Sequence, residues 1–160
     1  MAEFSGATIA PGDIDEVYSQ TAVDLGTRIK DTDGNEYIFM NGVASTVKGS
    51  WVTYDEQHIT TLLAASAKGP VAIAQAAIVA SKYGWYCIWG KTLGCMAATT
   101  SDNAVTLSRE TTDGYVGDVG TSGDIIYGAI TRTAEADGAA TTQAEFQIYY
   151  PWVDDQATAH

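Results

Sequence analysis

Apolar residues in this chain come in short runs bounded by Gly, Pro, Asp or Asn, and few of them follow the 3.6-residue spacing of an amphipathic helix. The densest run is Lys82-Tyr83-Gly84-Trp85-Tyr86-Cys87-Ile88-Trp89-Gly90-Lys91, which holds two of the four tryptophans. Aromatic and β-branched residues enclosed by glycines predict a strand. At period two, Trp85, Cys87 and Trp89 share one face, and Gly84, Tyr86 and Ile88 share the other. Neither face carries a charge, so both are expected to be covered by core, partner or ligand. Burying one tryptophan removes roughly 150–250 Å² from water, worth about 4–6 kcal/mol at about 25 cal/mol per Å².

Upstream, Arg28-Ile29-Lys30 and Tyr37-Ile38-Phe39-Met40 flank Asp31-Thr32-Asp33-Gly34-Asn35, which predicts a hairpin. The D-x-D-G-N letters also suggest a calcium loop. An EF-hand, however, needs glycine at its sixth position and glutamate at its twelfth. Here Gly34 is fourth and Gly42 is twelfth, so the segment reads as a turn. Ser50–Tyr54 is a third strand, closed by Asp55-Glu56, while Ile59–Ala64 fits either a short helix or a strand. Gly69-Pro70 ahead of alanines would open a helix. The alternation of Val71, Ile73 and Gln75 with alanines favours a strand over Val71–Ala76, whose small residues would let aromatic side chains approach closely.

Further on, Leu93–Ala98 and Ala104–Leu107 read as strands separated by the turn Ser101-Asp102-Asn103. Gly114, Gly117, Gly120 and Gly123 mark a glycine-rich loop that lacks the spacing of a dinucleotide fingerprint and any lysine for phosphate. Asp124–Thr131 is a strand with Ile125, Tyr127 and Ala129 on one face, and Glu145–Trp152 is an aromatic strand ended by Pro151. Ala72–Ala77 before the first aromatic strand is echoed by Ala129–Ala134 before the second; two copies of one hairpin or chance between Ala-rich strands both account for it. Residues Met1–Asp24 show no sustained periodicity and contain the turn signal Pro11-Gly12-Asp13. They read as an extended N-terminal arm, either a loose terminus or a docking segment. The whole predicts a mainly β fold: residues 1–24 as the arm, and residues 25–160 as a single antiparallel β-barrel or β-sandwich domain.

Composition narrows the function classes. Charged residues are 18% of the 160, against about 25% in typical domains, and Ala, Thr, Ser and Gly take their place. The net charge of −12 repels nucleic acid and anionic membranes, and the eight cations are scattered. A basic partner surface would complement such a chain, although acidity also serves solubility alone. Cys87 and Cys95 match no metal spacing; buried thiols and a bridge between neighbouring strands are both open. The first residues lack the features of a secretory signal, and no run of 18 apolar residues is present.

Nucleophilic catalysis needs Ser, Cys or Thr beside a base. The histidines are His58 and His160, and no G-x-S-x-G occurs. Twenty acids leave room for a carboxylate pair, but beyond the first position, Glu145, none lies within an aromatic strand, where a desolvated acid would be placed. The chain therefore reads as non-catalytic, with no cofactor and no metal.

The stretch Gly69 to Gly90 (GPVAIAQAAI…YGWYCIWG) resembles small structural proteins of tailed-bacteriophage heads. Asp113-Gly114-Tyr115-Val116, Ile126–Ile130 and the closing aromatic strand continue the likeness. The resemblance implies a head decoration, or cement, protein: a small β domain, often trimeric, made in the host cytoplasm and carried on the virion. Such a protein clamps neighbouring subunits of the major capsid protein. On this reading Trp51, Trp85, Tyr86, Trp89, Tyr149 and Trp152 are core or interface candidates, and Phe4, Ile9, Pro11, Ile14, Val17 and Tyr18 are candidates for an arm docked on the capsid. Two rival classes are a glycan-binding β-sandwich module, with exposed tryptophans stacking on sugar rings, and a tail-tube or fibre subunit. Burial of Trp85 and Trp89 would favour the scaffold, and coplanar exposure the glycan platform.

Overall fold

A computed structural model describes residues 13–96, 103, 106–118, 124–133 and 142–155. Over these residues the chain is all-β: β1 (Arg28–Lys30), β2 (Glu36–Asn41), β3 (Trp51–Tyr54), β4 (Thr60–Leu62), β5 (Gly69–Ala74), β6 (Tyr83–Met96), β7 (Leu107–Arg109), β8 (Val116–Asp118), β9 (Asp124–Thr131) and β10 (Thr142–Asp155). They form one sheet in the order β1-β2-β6-β8-β7-β9-β10-β5-β3-β4, with β6 also paired to β10 and to β5. The sheet is mixed because β6 and β8 run parallel, meeting at Met96 and Val116.

These pairings close two circuits. One runs β6-β8-β7-β9-β10 and back to β6. The other runs β2-β6-β5-β3-β4 and returns to β2 through the isolated bridge between Asn41 and Ile59. Where β2, β3, β5 and the first half of β6 lie together, successive residues enter two different cores. Tyr37, Phe39, Trp51, Val71, Ile73, Trp85 and Cys87 face one cluster. Ile38, Met40, Val52, Ala72, Ala74, Tyr86 and Ile88 face the other. This is why these strands read as unbroken apolar runs.

Local chemistry supports each element. In the turn between β1 and β2, Asp31 Oδ1 accepts the backbone N–H groups of Asp33 and Asn35, both at 2.9 Å. Its Oδ2 accepts from Asn35 Nδ2 and from the Tyr37 hydroxyl. Burial acts to raise the Asp31 pKa, but these donors outweigh it and hold the carboxyl below its usual range. The segment after Gly69 is a strand, with exposed Pro70 at its second position; a missing N–H costs little at a strand start. Gly84 is required by packing, since a Cβ there would lie 2.6–2.7 Å from Ile78 Cδ1 and Cγ1.

Five expectations need correction. The aromatic strand does not end at Gly90: β6 continues to Met96 as one 14-residue strand, because β10 takes over as its neighbour from Tyr149↔Trp89 onward. Ala97, Ala98 and Ala104 lie outside the described residues, and the strand expected at 104–107 is described as Leu107–Arg109. Part of the glycine-rich segment is strand β8, where Gly117 admits the Glu110 side chain against its backbone; Gly120 and Gly123 lie outside the described residues. Ile125, Tyr127 and Ala129 do not share a face: Ile126 and Ala129 are buried, Ile125 is half-buried and Tyr127 is exposed. Finally, the described part of the expected arm lies against the domain. Tyr18 and Tyr83 exchange backbone hydrogen bonds of 2.8 and 2.9 Å, and Ile14, Tyr18 and Val23 pack on the larger core.

Candidate functional site

The same region of β9 and β10 that breaks the alternation builds an exposed aromatic face. Before the break, Ala144, Phe146 and Ile148 point inward at even positions. Strict alternation would send Tyr150 and Trp152 after them. Instead Ile148 pairs with Ala129 and Trp152 with Tyr127, so three residues of β10 oppose one of β9. This β-bulge reverses the inward parity. Pro151 and Val153 become the buried positions, and Tyr149, Tyr150 and Trp152 turn outward at 42%, 52% and 47% exposure. Tyr150 sits at φ 45° and Gly128, across from it, at φ 76°. A left-handed backbone is costly for a bulky residue.

What holds Tyr150 there is visible. Its hydroxyl donates to Glu36 Oε2 at 2.5 Å, and Glu36, only 6% exposed, also meets Arg28 at 3.6 Å. The hydrogen bond to Glu36 pushes the Tyr150 phenol pKa up. Beside it, Trp152 stacks on Tyr127 with ring centroids 4.8 Å apart and planes at 22°. Tyr149 meets the half-buried Trp89 edge to face at 5.9 Å. Leu93, also exposed, extends the face along β6, where Lys91 pairs with Glu145 at 3.0 Å. At the other end Lys68 pairs with Asp155 at 3.6 Å. A cleft of about 480 Å³ adjoins the Leu93 end, and one of about 430 Å³, walled by Tyr54 and His58, adjoins Pro70, the strand partner of Trp152.

The sequence candidates therefore divide. Trp51, Trp85 and Tyr86 are fully buried. The Trp51 indole donates to the Cys95 carbonyl at 3.1 Å, and its ring meets Phe146. Trp85 packs edge-on against Phe39, with the Tyr18 hydroxyl beside its indole. Burial pushes the Tyr86 phenol to about 12, with the Thr60 hydroxyl acting against the shift. Trp89, Tyr149 and Trp152 belong to the aromatic face. Of the arm candidates, Ile14 and Tyr18 pack on the chain's own core and Val17 is 38% exposed, while Phe4, Ile9 and Pro11 lie outside the described residues.

Sequence reasoning missed Tyr127, Tyr150 and Leu93. The doublet Tyr149-Tyr150 followed by Pro151 was the available signal, since proline inside a strand is confined to edges and bulges. As for chemistry, both cysteines are free thiols; burial pushes Cys87 to about 12 and raises Cys95 as well. His58 stacks on Tyr54 and packs over Gly26. Among the described residues no group of three or more His, Cys, Asp or Glu is placed to hold a metal ion, and no helix is long and apolar enough to cross a membrane. In comparison with known proteins, the chain matches no protein-family model, no curated protein and no solved structure.

Proposed function

We propose that this chain is a virion structural protein: a decoration, or cement, protein that binds the outside of an assembled phage head as a homotrimer and stabilises it. The observation that carries this reading is the division of the aromatic residues. Trp51 on β3 and Trp85 and Tyr86 on β6 stiffen the interior, while Tyr127 on β9 and Tyr149, Tyr150 and Trp152 on β10 form an exposed face. An aromatic face on a rigid β scaffold suits a protein that works by assembly through its surface, first with copies of itself. The two pairing circuits support a closed, mainly antiparallel barrel as the scaffold, which leaves few free strand edges in a crowded shell. Several identical contacts to the major capsid protein would then add by avidity. With Ile14 and Tyr18 held by the domain itself, contacts from the arm fall to Phe4, Ile9, Pro11 and the exposed Val17.

The two tryptophans of the central aromatic strand divide: burial of Trp85 favours the scaffold, while Trp89 is half-buried beside the exposed Tyr149. The exposed Trp152–Tyr127 pair favours a second reading, a glycan-binding module. Negative-stain images and heat-release assays of capsids with and without the purified protein test the first reading. Added density on the shell and a higher release temperature are expected; bare capsids of unchanged stability would sink it.

A further inference from the structure

We propose that the aromatic face built by β9, β10 and the middle of β6 is where copies of this chain meet in the oligomer. The inference rests on the homo-oligomer proposed above and assigns its contact surface. Five of the nine large hydrophobic side chains exposed among the described residues lie on this face: Leu93, Tyr127, Tyr149, Tyr150 and Trp152. Tyrosine and tryptophan give large contact areas at low entropic cost, which is why they dominate interface energetics.

Charge decides which occupant the face suits. Arg28, Lys68 and Lys91 border it, each paired with a carboxylate: Glu36, Asp155 and Glu145. Arg132 also lies along it, donating to Gln147 Oε1 at 3.2–3.3 Å. The acids around them are Glu36, Glu145, Asp154 and Asp155, with Asp33 in the cleft beside Lys91 and Asp55 and Glu56 in the cleft beside Arg28; four cations against seven acids leave −3 here, and the other four cations and thirteen acids carry −9. Half of the chain's positive charge is thus gathered around one aromatic surface. A basic protein segment would be drawn to the acid-rich remainder instead. Copies of this chain repel most through the acid-rich remainder and less through this face, where most of the large hydrophobic side chains exposed among the described residues also lie. The three faces of the trimer turn towards one axis rather than joining strand edge to strand edge, since β10 has strand neighbours on both sides. The bulge and the Tyr150–Glu36 hydrogen bond hold the rings in place before contact, which lowers the ordering cost.

Sedimentation velocity on the full chain, from low to high micromolar concentration and at low and high sodium chloride, tests this. Wild type should associate with rising concentration, and more tightly at high salt, because salt screens the repulsion of the acid-rich remainder and leaves an apolar contact intact. Trp152→Ser and Tyr127→Ser should each weaken association by about tenfold or more, with melting temperatures within a few degrees of wild type. Val47→Ser, at another exposed apolar position, should leave association unchanged. A wild type that stays monomeric throughout overturns the proposal, and so does a folded Trp152→Ser that associates like wild type. Quenching of the monomer's tryptophan fluorescence by neutral oligosaccharides, without self-association, overturns it in favour of a glycan site. Capsid binding by a strict monomer sinks this contact and leaves the decoration reading standing; self-association through this face without capsid binding does the reverse.

Discussion

Strands β2, β3, β5 and the first half of β6 bury both faces, whereas β9, β10 and the second half of β6 bury one and leave the other to solvent. The two-sided block is built from runs such as Tyr37-Ile38-Phe39-Met40 and Trp85-Tyr86-Cys87-Ile88, where every position has a core to enter. A one-residue slip there would exchange two buried sets and find no polar face to expose. In the one-sided region a slip exchanges core for solvent, and the bulge around Tyr149–Pro151 makes that exchange locally. Stability is therefore concentrated in one region and surface chemistry in the other.

The largest expected effect separates them directly. Trp85→Ala should cost about 3–5 kcal/mol as a core deletion and lower the melting temperature by roughly 10 °C. Trp152→Ala should cost only about 1–2 kcal/mol, since its ring is about half exposed and loses chiefly its stack on Tyr127. Equal losses in thermal melts would abolish the distinction.

Next, Gly84→Ala should cost about 1–3 kcal/mol, because its methyl group collides with Ile78 inside the smaller core. A double-mutant cycle with Ile78→Ala should show coupling of about 1 kcal/mol or more, with the second change relieving part of the first. Additive losses would mean that the backbone, not Ile78, limits that approach.

Alkaline pH should act on the two-sided block. Burial raises Cys87 from 9.0 to about 12 and Tyr86 from 10.0 to about 12, one in each core. Both groups are neutral when buried, so the folded state holds these protons more tightly than the unfolded chain. Their contribution is fully present below pH 9 and is lost as pH rises from 9 towards 12. The melting temperature should fall across that window, and Cys87→Val should make the fall shallower; an identical profile for the variant would show that the thiol is not the titrating group.

The smallest effect is expected in the one-sided region. Tyr150→Phe keeps the ring but removes the donor to Glu36, and should cost about 1 kcal/mol. A loss as large as that of Trp85→Ala would mean that the bulge anchors the whole sheet.

The aromatic strand and its two covered faces were legible because both faces lack charge over consecutive positions. The Asp31–Asn35 turn was legible because its donors and acceptors are local. The continuity of β6 through Gly90 was not, since it depends on β10 arriving from some fifty residues away as the new neighbour. Strand β8 was hidden for a similar reason: its one pairing with β6 and its three with β7 replace the propensity that its glycines lack.

By itself the sequence determined the β character, the hairpin, the two-faced central strand and the acidity, all of which follow from residue type at neighbouring positions. Only the tertiary structure decided which aromatics are core and which are surface. Phe146, Ile148, Tyr150 and Trp152 are spaced as one face, and nothing in their chemistry divides them. The division arises where three residues of β10 must match one of β9, with Tyr150 tied to a glutamate on β2. That match is set by pairing between distant strands, and period two along one strand carries no record of it.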